Sequence, residues 1–312
     1  MRSFSASEVE AALETGALVE ELRKAFRGSV TTPTRHHHKI AVPDSPEAML
    51  LLMPAWIEGR YVGIKLVTVF PGNAARDLDS VQGTYVLLSG TTGEPLASID
   101  GRMLTLRRTA CASALAASYL ARSDAERLLM IGTGALAPHL IMAHAAVRPI
   151  REVLVWGRNA EKTARLAKNL DGRRLRVRAT DDLEGAVRGA DVVSCATLSK
   201  TALVQGAWLK PGQHVDLVGS YAPDMREADD EAVRRARVYI DTEAALHESG
   251  DLVQPMKSGA LAREQIAGSL GELAQGRVAG RSFANQITLF KSTGTALEDL
   301  AAAVFLFEQA KA

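Results

Sequence analysis

Leu128-Leu129-Met130-Ile131-Gly132-Thr133-Gly134-Ala135-Leu136-Ala137 is an apolar strand running into G-x-G-x-x-A and the start of a helix. In such a stretch Gly132 makes the tight turn, Gly134 lets backbone approach a pyrophosphate, and Ala137 permits close helix–strand packing. From Gly134 through Ala135 and Leu136, with Thr133 in the turn, the helix start offers amide N–H groups and the positive end of its dipole to phosphates. A lone glycine motif is a weak signal, and a bare packing turn would explain it. Strand, motif, helix and a second strand in register favour dinucleotide binding instead.

Working outward, Leu128–Ile131, Val153–Trp156, Leu175–Ala179, Val192–Ala196, Val215–Val218 and Val238–Ile240 are short apolar or β-branched runs. Helical stretches separate most of them, which is the pattern of an α/β fold with a Rossmann-type, doubly wound parallel sheet. The texture changes near Arg127, and the expected dinucleotide-binding domain covers 121–282. Beyond the second strand stand Trp156-Gly157-Arg158-Asn159 and, a turn later, Lys162. An NAD-specific site wants an acidic residue there for the ribose 2′-OH. Gly157 is not acidic, and Arg158 can pair with a 2′-phosphate, so NADP(H) is favoured. A solvent-facing Arg158 would serve NAD(H) equally well.

The first third reads differently. Ser5 with Glu8 has capping-box form, Gly16 interrupts the helical pattern, and Leu18, Leu22 and Phe26 share one helical face. Strand-like runs follow between Ala48 and Ile99, with Gly90-Thr91-Thr92-Gly93 as a hairpin turn. An Ala-rich helix is expected from about Leu106, with Thr105 as N-cap. Arg107 and Arg108 then fall in its first turn, against the helix dipole, and a bound carboxylate would account for at least one of them. Lys65, inside the apolar run Val62–Val67, is either an edge-strand gatekeeper or an active-site amine. At the far end, Thr295–Ala312 reads as a helix with Leu297, Leu300, Ala301 and Val304 on one face.

Composition narrows the partners. Among 312 residues, 37 Lys and Arg offset 36 Asp and Glu, so the chain has no global attraction to nucleic acid or anionic membrane. The local run Arg173, Arg174, Arg176 and Arg178 reads as a solvated strand face. Two cysteines, Cys111 and Cys195, fit no metal spacing and suit a reducing compartment. His36, His37 and His38 alternate faces on a regular strand and cannot all grip one ion, so no metal is expected. No apolar run reaches the ~18 residues of a membrane span, and the N-terminus has no signal-peptide form, so the expected location is cytoplasmic.

Over almost its whole length the sequence resembles the ornithine cyclodeaminase/mu-crystallin family. The matching stretches are Leu52-Met53-Pro54, Gly63-Ile64-Lys65, Pro71-Gly72-Asn73, Gly93-Glu94-Pro95-Leu96, Leu106-Arg107-Arg108-Thr109-Ala110, Gly132-Thr133-Gly134 and Gly294-Thr295-Ala296-Leu297-Glu298-Asp299. The resemblance implies a homodimer whose smaller α+β substrate-binding and dimerisation domain joins 1–120 to 283–312. It implies a small imino or amino acid substrate, carboxylate-binding Arg35 and Arg108, and Lys65 in the active site. Thr197, Gly219 and Ser292 are expected, with Arg158, Asn159 and Lys162, on the cofactor.

Departures from the family pattern choose between branches. Leu51 stands where ornithine cyclodeaminases carry a glutamate, and Tyr221 where they carry a catalytic aspartate. A second ammonium on the substrate would then lack a partner, and an unpaired buried charge is costly. The reading is therefore reduction of a small cyclic imino acid, of the Δ1-pyrroline-2-carboxylate type, with Lys65, Arg108 and Tyr221 as catalytic candidates. The alternatives are ornithine cyclodeaminase with Asp224 as the replacement carboxylate, an amino-acid dehydrogenase, or a dinucleotide-dependent small-ligand binding protein. His247–Asp251 is expected as a loop able to close over the cleft.

Overall fold

The computed structural model describes residues 1–76, 78, 80–172 and 174–311; Arg173 of the arginine run lies outside the described residues. Two compact units form, Met1–Thr109 with Thr295–Ala312, and Ala110–Gly294. The division falls within the helix Gly101–Leu120.

The first unit is built on six strands: β1 (Arg2–Phe4), β2 (His36–Ile40), β3 (Ala48–Ile57), β4 (Tyr61–Val69), β5 (Val81–Ser89) and β6 (Pro95–Asp100). They lie in the order β1-β6-β5-β4-β3-β2, antiparallel except for β1 against β6. β5 and β6 form the expected hairpin, turned by Gly93 at φ +74°, a conformation that side chains with a Cβ resist. Short β1 gives no periodic signal and was not anticipated. Ser5 and Glu8 make the capping box that starts Ala6–Ala12. The interruption lies at Leu13 and Glu14 rather than Gly16, because the Glu14 carboxylate caps Thr15–Arg27 and Gly16 sits inside its first turn. β2 is the sheet edge, where the three histidines are exposed and His36 and His38 share a face. β4 is interior, which removes the gatekeeper reading of Lys65. The helix Ala296–Gln309 packs across β3, β4 and β5.

The second unit is an eight-stranded sheet, parallel throughout. Its strands are β7 (Arg127–Ile131), β8 (Glu152–Trp156), β9 (Arg176–Ala179), β10 (Val192–Cys195), β11 (His214–Leu217), β12 (Arg237–Ile240), β13 (Ile266–Ser269) and β14 (Thr288–Lys291). The order β13-β12-β14-β11-β10-β7-β8-β9 is doubly wound about β7, as the alternating runs predict. β13 and β14 were missed. Ile266-Ala267-Gly268-Ser269 has too little apolar character, and β14 ends in Lys291, a buried charge that reads as polar. Asp216 in the middle of buried β11 accepts hydrogen bonds from Ser113 (2.9 Å) and Ser194 (2.7 Å) and meets His144 Nε2 at 3.1 Å. These partners offset the desolvation of a charge inside a sheet.

Candidate active site

Lys65 sits mid-strand on β4, with Met53 and Tyr85 opposite it on the flanking strands. It is 2% exposed. An ammonium in such a place needs a counter-charge, and the helix Ala296–Gln309 supplies it: Asp299 Oδ2 lies 2.7 Å from Lys65 Nζ. The other Asp299 oxygen, Oδ1, lies 2.9 Å from Nε of buried Arg108, whose Nη1 donates to Glu298 Oε2 at 2.5 Å. Gly63 makes room beside this row, since a Cβ there would sit 1.9 Å from the Tyr85 hydroxyl oxygen.

The helix carrying Arg108 begins earlier than the sequence suggests. Asp100 Oδ1 accepts the Met103 N–H at 2.6 Å, so Gly101 opens the helix. The Thr105 hydroxyl turns back to the Gly101 carbonyl at 2.7 Å and caps nothing. Arg107 and Arg108 therefore lie beyond the first turn, and the dipole argument for an anion beside them does not hold. Tertiary partners explain them instead. Arg107 donates to the Leu13 carbonyl at 3.0 Å, and Arg108 meets the two acids.

Burial, then the nearby Arg108 charge, pull the Lys65 ammonium down to about 8 against the opposing pull of Asp299. Burial pushes the Asp299 carboxyl up, but Arg108 and Lys65 outweigh it and hold the group below the usual carboxylate range. Half-buried Arg35, just before β2, adds positive charge felt by both Lys65 and Asp299. In the sequence Glu298 and Asp299 stand out only as part of the family motif, with no role in the site attached to them. The sequence signal was present: two adjacent acids open an otherwise apolar helix. The expected face, Leu297–Leu300–Ala301–Val304, is rotated from the observed one, which buries Glu298, Asp299, Leu300, Ala302, Ala303, Leu306 and Phe307.

The second unit holds the glycine loop. Gly132 has φ +120°, donates to the Trp156 carbonyl at 2.9 Å, and would place a Cβ 2.5 Å from the Ala196 carbonyl oxygen. Gly134 and Ala135 are exposed, and no side chain caps the helix Leu136–Val147 that follows. Its first amides thus suit an anion. A Cβ at Gly157 would lie 2.7 Å from Thr133 Cγ2, so the position that an acid would take on the ribose has no room for one. Arg158 and Lys162 are exposed just beyond β8, with Glu161 in the first turn between them. The Asn159 side chain caps Ala160–Leu170 by accepting the Lys162 N–H at 2.8 Å.

Thr197 and Gly219 follow β10 and β11, and both donate to the buried Glu227 carboxylate. Ser292 is buried, with its N–H on the Leu217 carbonyl at 3.2 Å. Tyr221 is 57% exposed and its hydroxyl has no partner among the described residues. Asp224 forms an exposed ion pair with Lys200 at 2.7 Å. His247–Asp251 is no loose loop: the segment joins Ala245–Glu248 to Gly250–Ser258, and Ser249 and Asp251 are buried. Among the described residues no His, Cys, Asp and Glu group could hold a metal ion, and no helix is long and apolar enough to cross a membrane.

Comparison with known proteins meets this geometry. A Δ1-pyrroline-2-carboxylate reductase of Paracoccus denitrificans is 40% identical over 263 residues, 84% of this chain and 83% of the relative. The structure of the Thermococcus litoralis Δ1-pyrroline-2-carboxylate reductase with NADH and L-proline is 31% identical. It covers 100% of this chain and 98% of its own, with a TM-score of 0.93. An archaeal alanine dehydrogenase dimer with bound NAD is 28% identical over 100% of this chain and 96% of its own, with a TM-score of 0.91. The profile of the ornithine cyclodeaminase/mu-crystallin family matches residues 3–312, and the chain belongs to that family.

Proposed function

We propose that this NAD(P)-dependent oxidoreductase, which acts on C=N bonds, reduces a small cyclic imino acid of the Δ1-pyrroline-2-carboxylate type to L-proline. The observation that carries the reading is the buried row Lys65–Asp299–Arg108–Glu298, with Arg35 adding a further cation. Such a site favours a carboxylate, and the Met53 side chain and the Tyr85 ring beside Lys65 suit a substrate ring. Arg108 and Arg35 hold the carboxylate and orient the C=N bond. Lys65, with its proton affinity lowered to about 8, is poised near neutral pH to give a proton to the imine nitrogen. The dinucleotide, when bound, supplies the hydride that the C2 carbon accepts, so one C–H and one N–H bond replace the C=N π bond. Positioning is the chain's main contribution, since a protonated imine is already electrophilic.

Two features weigh against the cyclodeaminase alternative. Leu51 leaves its position without a carboxylate, and Asp224, the named substitute, is engaged with Lys200 at the surface. Exposed Tyr221 is better suited to a wall than to proton transfer. For the cofactor we infer a preference for NADP(H), from Arg158 and the crowded Gly157, and for assembly a homodimer, as in the archaeal neighbour. The test is oxidation of NADPH and of NADH by the purified protein with Δ1-pyrroline-2-carboxylate, run beside ornithine with NAD. Proline from the imine alone is the expected result. Proline and ammonia from ornithine would overturn it.

A further inference from the structure

A second buried cluster of charges lies in the Ala110–Gly294 unit, and the reaction as described does not use it. Glu227 is fully buried, and its carboxylate accepts three hydrogen bonds. Oε1 takes the Thr197 N–H at 2.7 Å and the Thr197 hydroxyl at 2.9 Å, and Oε2 takes the Gly219 N–H at 2.7 Å. Gly219 permits this approach, since a Cβ there would lie 2.6 Å from Glu227 Oε1 and 2.0 Å from the Thr197 carbonyl oxygen. Asp251 holds the Glu227 backbone in turn, its Oδ1 accepting the N–H groups of Glu227 (2.7 Å) and Ala228 (3.2 Å). Lys291, at the end of β14, places Nζ 3.2 Å from Asp251 Oδ2. The Cys195 thiol on β10 also faces Glu227.

Two carboxylates and one ammonium buried together are expensive, and an apolar plug is often the more stable filling. What an apolar residue could not do is hold two loop amides at once. Thr197 stands two residues past β10 and Gly219 two past β11, and in this fold the second half of a dinucleotide binds outside those strand ends. We propose that Glu227 is a positioning residue of the dinucleotide site, clasping the chain beyond β10 to the chain beyond β11 so that both present a fixed surface to the nicotinamide half. This rests on the reading of the Gly132 loop as the dinucleotide site.

The test is NADH affinity, measured by the fluorescence of the bound nucleotide. In Glu227→Gln the oxygen still serves Thr197, while the amide nitrogen meets the Gly219 N–H, donor against donor. The expected result is an NADH Kd raised about tenfold, the cost of one hydrogen bond to a charged group, with the imine KM unchanged at saturating NADH. The unmodified protein gives an independent measurement. Burial pushes the Glu227 carboxyl up to about 7 against the pull of Lys291. Its bond to Gly219 needs the ionised form, so NADH affinity is full above that pH and weakens as pH falls through it. The 15N shift of the Gly219 amide should follow the same midpoint. NADH has no 2′-phosphate to titrate in that range. Affinity that neither the substitution nor pH changes overturns the proposal while leaving the dinucleotide site intact. No NADH binding by the unmodified protein at any pH overturns the site, and the proposal with it.

Discussion

The two units each bury a cluster of charges, and the clusters are opposite in surplus and in what they hold. In the first unit Lys65, Arg108 and the nearby Arg35 outnumber Glu298 and Asp299, and the ion pairs join side chain to side chain. In the second unit Glu227 and Asp251 outnumber Lys291, and the two carboxylates accept four backbone N–H groups, those of Thr197, Gly219, Glu227 and Ala228. Burial moves each surplus toward neutrality. It pulls Lys65 down to about 8 and pushes Glu227 up to about 7. A surplus of cations on side chains suits a ligand anion, whereas a surplus of acid aimed at amides fixes the chain itself. On that difference rests our proposal that the first cluster holds the substrate and the second orders the chain around the cofactor.

The comparison breaks most visibly at Arg108. Arg108→Met takes a cation from two buried carboxylates, Glu298 and Asp299, and should cost about 3–5 kcal/mol in urea unfolding and more than about a thousandfold in kcat/KM. Stability lost with kcat/KM intact would make the first cluster mere scaffold. Lys291→Met removes the one cation of the second cluster and should cost roughly 3 kcal/mol by the same measurement. The imine KM should not change, and the acid limb of NADH binding should move to higher pH. A raised imine KM would erase the division of labour between the clusters.

Smaller effects sharpen it. A rate that needs the Lys65 ammonium is full below about pH 8 and falls as pH rises through that value. Asp299 is the group that holds the proton on, so Asp299→Asn should move this limb of kcat/KM to lower pH by about one unit, equivalent to ~1.4 kcal/mol. An unmoved limb would mean another group titrates. Least of all, Arg158→Glu should weaken NADPH about tenfold and leave NADH nearly unchanged in parallel Kd measurements. Equal losses would mean Arg158 does not read the 2′-phosphate.

What the sequence disclosed follows the range of the interactions. The pattern of the glycine loop is local, with strand, turn and helix within ten residues, although the carbonyls that Gly132 meets, Trp156 and Ala196, lie at the ends of other strands. Lys65 was visible as an anomaly, a charge in an apolar run, but pattern alone could not tell an edge from an interior strand. The sheet order decided that. Arg108 was singled out for a reason the structure replaces, because Asp100 starts the helix a turn and a half earlier. Glu298 and Asp299 were hidden by the habit of assigning charges to the solvent side of a helix. Their partners lie about 190 and 230 residues upstream, and no window on one helix contains them. Glu227 gives no signal for the same reason, since its meaning depends on Thr197 and Gly219, which lie just beyond two different strands.

The helix Ala296–Gln309 has a consequence in time. Chains emerge from the ribosome N-terminus first, at about 5–20 residues per second. Every residue of Ala110–Gly294 is made before Glu298 and Asp299 exist, so that unit has all of its own strands before the row has its acids. The six-stranded sheet is translated first, yet Lys65 and Arg108 have no counter-charge until the distant helix arrives. The row Lys65–Asp299–Arg108–Glu298 can therefore close only once the last segment of the chain has been made, and a chain ending before residue 298 would lack both of its carboxylates.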